Sequence, residues 1–194
     1  MVYDDGQTPL DEDEKEGLLI RSIITREELD EFEQNNIQQA ILWLLGNRIS
    51  TTDILTEEFI VSLHTKMFGQ VWKWAGQFRK TNKNIGIDKF EIPQQLRILL
   101  DDCRYWIQNK TYGGEEIAIR FKHRLVSIHC FANGNGRHSR LMADIIIDKL
   151  FKKDVFSWGG SDLSRISGAR MNYLKAVKAA DAGDISLLMA FAKS

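Results

Sequence analysis

The chain has 194 residues, a net charge of −1, 43% hydrophobic and 27% charged residues, which suits one folded domain with a short extension. No run of about 18 apolar residues is present, which excludes a helical membrane span. The acidic start Met1-Val2-Tyr3-Asp4-Asp5 lacks the basic and apolar regions of a secretory signal. Only Cys103 and Cys130 occur, far apart, which argues against a disulfide framework or a Cys zinc site and fits a cytoplasmic location. Residues 4–16 hold seven acids against Lys15 alone, leaving 25 bases and 20 acids elsewhere. That mildly basic body suits phosphate ligands. It carries no basic stripe with interleaved aromatics, so no direct nucleic-acid partner is expected.

Two prolines in the whole chain and apolar residues at helical spacing predict a mostly α protein. Thr25 and Glu28 make a capping box for a helix that ends at Gly46-Asn47, with Leu29, Phe32, Ile37, Ala40, Ile41 and Leu44 inward. A second helix follows Thr56, with Phe59, Ile60, Leu63 and Met67 inward, and stops at Gly69. Pro93 suits the first turn of a third, with Leu96, Leu99, Leu100, Cys103 and Trp106 inward. A fourth follows Tyr112-Gly113-Gly114 and carries Ile117, Phe121, Leu125 and Ile128. The fifth spans about Asn135 to Lys152. It is apolar almost all round from Leu141 to Leu150, which predicts a central, buried helix. Two more fit residues 164–180 and 185–193, with Asp184 as the N-cap of the last. One segment breaks the pattern. Between Gly76 and Ile92, turn formers sit in the middle of a β-like run, which predicts a β-hairpin or flap.

The chemistry concentrates in His129-Cys130-Phe131-Ala132-Asn133-Gly134-Asn135-Gly136-Arg137-His138-Ser139-Arg140. His129 ends one helix, and a glycine-rich turn opens the next. Glycines let a ligand approach the main chain, and N–H groups at a helix start bind anions. Arg137 and Arg140 share a face in the first turn. Cations are unfavourable there unless an anion such as a polyphosphate occupies the site. His129 can take a proton near neutrality. Base, anion site and arginines suit phosphoryl or nucleotidyl transfer. The loop is not a G-x-x-x-x-G-K-S/T phosphate loop, and no strand precedes it.

This stretch resembles the Fic/Doc signature H-P-F-x-D/E-G-N-G-R-x-x-R, matching at His129, Phe131, Gly134, Asn135, Gly136, Arg137 and Arg140. Upstream, Leu63-His64 through Phe78-Arg79 is similar to the family's segment leading into its flap, and Ala169-Arg170, Tyr173-Leu174 and Ala180 to Asp184 resemble its C-terminal helices. Within the family the chain is similar to a small bacterial branch, mobile mystery protein B. The resemblance implies an all-α Fic-fold helical bundle with a small β-hairpin flap. It also implies an acidic, mobile N-terminal segment over 1–20, a helical extension over 21–54 and a Fic domain over 55–194.

The resemblance further implies a protein adenylyltransferase that moves AMP from ATP to a Ser, Thr or Tyr hydroxyl of a target protein. His129 would be the base. Gly134, Asn135, Gly136, Arg137 and Arg140 would bind the nucleotide, with Arg137 on the β-phosphate and Arg140 on the γ-phosphate. Asp88, Lys89 and Phe90 would dock the target on the flap, and Phe131 would support the loop. Two departures stand out. Cys130 replaces the family's proline. Asn133 replaces the acid that binds Mg2+, which predicts weak metal binding, because magnesium prefers anionic oxygens. The alternatives are a Doc-like protein kinase or a catalytically weak nucleotide-binding module. An antitoxin or helix-turn-helix partner is a further expectation of the branch. The family's inhibitory pattern S/T-x-x-x-E-G/N has no full match. The Thr25–Asn47 helix either packs on the core or plays that part through another sequence.

Overall fold

The computed structural model describes residues 11–160 and 168–194, and it is helical almost throughout. In chain order the helices are α1 (Glu12–Lys15), α2 (Arg26–Gly46), α3 (Glu57–Phe68), α4 (Ile92–Gln108), α5 (Gly114–Ile128), α6 (Asn135–Ile145), α7 (Gly168–Asp181) and α8 (Ser186–Ala192). The predicted helices form. Thr25 accepts from Glu28 N in a complete capping box. Thr56 accepts from Phe59 N, and Pro93 sits in the first turn of α4. The expected N-cap of the last helix shifts by one: Ile185 holds that place in α8, and Asp184, just before it, accepts from Ser186 N at 2.9 Å. Of the segment 164–180, residues 164–167 lie outside the described residues.

The antiparallel pair α5–α6 is the axis of the bundle. α6 runs on as one π-helical stretch, Ile146–Leu150. Met142, Ala143, Ile146 and Ile147 are buried there, as the apolar run predicts. α4 packs on α5, α2 on α3, and α7 with α8 close the C-terminal side. Leu96, Leu99, Phe121, Leu125, Met142 and Leu188 meet in one core, where each buried side chain contributes about 1.5–3 kcal/mol. No helix is long and apolar enough to cross a membrane among the described residues.

Two expectations change. The inward face of α2 is Leu29, Glu33, Asn36, Ile37, Ala40 and Leu44, whereas Phe32 and Ile41 are 42% and 38% exposed. The helix is turned so that two polar side chains point in, because each has a buried partner. Asn36 donates to Lys66 O at 2.8 Å and accepts from Gln70 N at 2.9 Å, which closes the C-terminus of α3. Glu33 reaches the site described below.

The second correction is the flap. No β-hairpin forms over 78–90; there is a single bridge, Phe78 to Phe131, then bends and a 3-10 turn Lys89–Glu91. A side chain replaces the cross-strand ladder. The Arg79 guanidinium donates to Thr81 O at 2.9 Å and to Ile87 O, and its Nε donates to His129 O at 2.7 Å. Asn82 accepts from Lys89 N at 2.8 Å and donates to Asp88 at 2.9 Å. Carbonyls that a ladder would pair are thus satisfied from the loop's centre.

The expected mobile segment 1–20 is bonded to the body over its described part, 11–20. Leu19 N donates to Val71 O at 2.9 Å and Lys73 N to Gly17 O at 2.8 Å. Trp74 Nε1 donates to Glu14 O at 3.0 Å. Asp11 accepts from Thr81 Oγ1 at 2.6 Å, and Lys83 pairs with Asp11 at 2.9 Å and Glu14 at 2.5 Å.

Candidate active site

His129 closes α5 in the left-handed conformation, φ 58° and ψ 60°. This is uncommon for a residue with a side chain. The turn is held from both sides: Arg79 N donates to Cys130 O at 2.9 Å while the Arg79 side chain holds His129 O. The loop then closes through Asn135. Its amide donates to Phe131 O at 2.8 Å and accepts from Phe131 N at 3.0 Å. The buried Asn135 side chain therefore builds the loop, and the first amides of α6 follow directly on it.

Gly134 has φ 78°, and a Cβ there would lie 2.6 Å from the Phe68 ring. Glycine is required both for the backbone angle and for this contact. Beneath the loop, Phe131 is fully buried and stacks on His64 with centroids 3.7 Å apart. His64 accepts from Gly76 N at 3.0 Å and, through Nε2, donates to Asn133 O at 3.0 Å. His138 donates to Ile60 O at 3.0 Å. These two histidines are a cradle whose part the sequence reading did not assign. Burial pushes His138 down to about 4 and His64 well below its ordinary value.

Burial also pushes His129 down to about 4; its bond to Val126 O opposes this, and Arg79 and Lys83 add to it. The imidazole is therefore neutral at pH 7. With Nδ1 donating to Val126 O at 3.3 Å, Nε2 carries the ring's lone pair. The flap packs against the base of this side chain. Gly86 has φ 102°, and a Cβ there would fall 2.6 Å from His129 Cβ. Of the flap residues expected to dock a target, Phe90 is 83% exposed, with Lys89 Nζ 4.9 Å from its ring, and Asp88 caps the turn by accepting from Phe90 N at 2.9 Å.

The two motif arginines have different surroundings. Arg137 pairs with the buried Glu33 of α2 at 2.6 Å and lies over Phe68, while Trp72 Nε1 donates to the other Glu33 oxygen at 2.5 Å. Arg140 has no carboxylate partner among the described residues; its guanidinium lies over the Tyr173 ring of α7, 5.4 Å from the centroid. Glu33 escaped the sequence reading because it sits among apolar residues at an apparently outward position.

The donor set does not fit a magnesium ion held by the protein alone. Asn133 Oδ1 accepts from Gly134 N at 2.6 Å. No group of three His, Cys, Asp or Glu side chains with ligating geometry occurs among the described residues. Cys130 is buried, and burial pushes its thiol up to about 12, which leaves no nucleophilic thiolate.

The Fic/DOC family model matches residues 54–147, the stretch from the start of α3 through the loop and α6. This stretch is a Fic/DOC domain. Curated relatives of the Fic domain include "Protein adenylyltransferase Fic" of Aedes aegypti, 26% identical over 57% of this chain and 23% of that protein. The Drosophila grimshawi protein of the same name is 30% identical over 48% of this chain and 20% of its own length. The chain spans less than a quarter of the length of these relatives. Among solved structures, Fic-1 from C. elegans aligns with TM-score 0.68 and 21% identity, covering 92% of this chain and 51% of that one. BepC from Bartonella tribocorum, solved with bound AMPPNP, aligns with TM-score 0.64 and 16% identity, covering 88% and 87%. The Fic fold thus extends over the N-terminal helices as well as residues 54–147.

Proposed function

We propose that this chain is a protein adenylyltransferase that transfers AMP from ATP to a hydroxyl side chain of a target protein. The observation that carries the reading is the placement of His129, neutral and left-handed, at one edge of a glycine-bounded helix start. Arg137 and Arg140 project from the first two turns of that helix. The Fic family membership and the names of the curated relatives support it.

In this reading His129 Nε2 takes the proton of the target hydroxyl. The oxygen attacks the α-phosphorus of ATP, the P–O bond to the β-phosphate breaks, and pyrophosphate leaves. Amides at the start of α6 stabilise the charge that builds on the phosphoryl oxygens. Arg137 holds the β-phosphate and Arg140 the γ-phosphate. Phe131, stacked on His64, fixes the height of the loop. Asp88, Lys89 and Phe90 form the flap edge that receives the target segment, with Phe90 as its apolar contact. Asn133 would offer a nucleotide-borne Mg2+ at most a neutral oxygen. The action is cytoplasmic, and a separate partner protein restrains it, as for a toxin with its antitoxin.

Protein extract incubated with ATP labelled at the α or the γ phosphate tests the reading. Transfer of the α label supports it. Transfer of the γ label alone overturns it in favour of a kinase. No transfer of either label, even by Asn133→Asp, overturns it in favour of a nucleotide-binding module.

A further inference from the structure

Tyr173 belongs to α7, outside the helix-start loop, yet its buried ring receives two cations. Arg140 Cζ lies 5.4 Å from the ring centroid and Lys122 Nζ 4.6 Å. Lys122 is fully buried in the middle of α5, where burial pushes its ammonium below its ordinary value and the Tyr173 hydroxyl faces its Nζ without a well-formed hydrogen bond. Burying an ammonium group without an acceptor is costly, and an aromatic face offsets only part of that cost. Asp181 acts on Lys122 through space, but it is itself bonded to His123 at 2.7 Å. Burial pushes the Tyr173 phenol up, and the positive charges of Lys122 and Arg140, with their hydrogen-bonding approach to its hydroxyl, outweigh it, so that the phenol titrates below its ordinary value.

A carboxylate at this place would neutralise Arg140, as Glu33 does Arg137. An aromatic face instead orients a guanidinium and leaves its charge in force. Two cations on one buried ring, with Asp181 and Asp144 acting on them only through space, suit an anion bearing more than one negative charge. The terminal group of a nucleoside triphosphate is such an anion.

We propose that Tyr173 is a positioning residue for Arg140, its ring aiming the guanidinium at the terminal phosphate while Lys122 reinforces the positive potential, so that the site selects ATP over ADP. The proposal rests on the assignment of Arg140 to the γ-phosphate. Tyr173 touches no reacting atom; it acts through Arg140.

Calorimetric titration of the whole chain with ATP and with ADP tests this. Tyr173→Leu and Tyr173→Met fill the position without an aromatic face. Either is expected to reduce the ATP-over-ADP preference about fivefold, chiefly through weaker ATP binding, while ADP affinity stays within about twofold. Tyr173→Phe keeps the ring and is expected to recover most of the preference. Equal losses for ATP and ADP, or an unchanged preference in whichever of the two variants folds, overturn the proposal. Arg140→Ala separates it from the reading beneath it. A preference lost in Arg140→Ala but kept in Tyr173→Leu removes only the role of Tyr173. A preference kept in Arg140→Ala removes the γ-phosphate assignment itself.

Discussion

The N-terminal and C-terminal sides of the molecule support the same site with opposite chemistry. From the N-terminal side come carboxylates: Glu33 on Arg137, and Asp11 and Glu14 on Lys83. From the C-terminal side comes one aromatic ring, Tyr173, against Arg140 and Lys122. Carboxylates hold a cation by neutralising it, whereas a ring holds it with its charge intact. Arg137, beside the N-terminal helices, would therefore meet a phosphate while already paired with Glu33, and the cations beside α7 keep more of their attraction for a ligand's charge.

Between the two supports lie histidines that neither charges. His129 and His138 titrate near 4 in the folded chain against about 6.5 unfolded, so the unfolded chain binds more protons between those values. Stability is lost as pH falls through that window, by about 2–3 kcal/mol per histidine at pH 4.5. Asp144 acts in the reverse sense. Burial pushes it up to about 7, so its contribution is present at acid pH and is lost as pH rises through 7. Denaturant unfolding at pH 7 and pH 4.5 separates the two. His138→Gln should shrink the loss on acidification, and Asp144→Asn should enlarge it. Identical pH profiles for both variants and the parent chain would contradict these assignments.

Of similar size is the Glu33 contact. Glu33→Ala removes a buried partner of both Arg137 and Trp72 and should cost about 3 kcal/mol in urea unfolding. Glu33→Gln, which can still accept from Trp72, should cost less. If both variants unfold at the parent's midpoint, the N-terminal support is not energetic.

Much of this arrangement was legible in the sequence, and the exceptions share a cause. Capping boxes, Pro93 and the apolar run of α6 act locally, and they predicted the helices. Residues 129–140 are contiguous, so base, glycines and arginines could be read as one unit. Glu33 and Tyr173 reach that unit from distant helices, and no local pattern reports such a meeting. The hairpin failed for a related reason. The turn formers of 81–88 signal a reversal of the chain, but they do not reveal that the Arg79 side chain takes the place of the ladder. Gly86 became meaningful only when its Cα was seen against His129.

The smallest expected effect concerns the strap over the flap. The Lys83 side chain is 3% exposed between Asp11 and Glu14. Lys83→Met should cost about 1 kcal/mol of global stability, because the strap is peripheral. It should nonetheless speed amide exchange in residues 11–19 and 81–88 together. Faster exchange in one segment alone would show that the two are not coupled through Lys83.

In the proposed reaction His129 takes the proton of the target hydroxyl, whose oxygen receives AMP at the helix-start loop. Pyrophosphate release measured beside incorporation of α-labelled phosphate tests it most directly, in the parent chain and in His129→Ala. One pyrophosphate is expected for each AMP incorporated, with a loss of about a hundredfold or more in His129→Ala. Incorporation without pyrophosphate, or at an equal rate in His129→Ala, would contradict it.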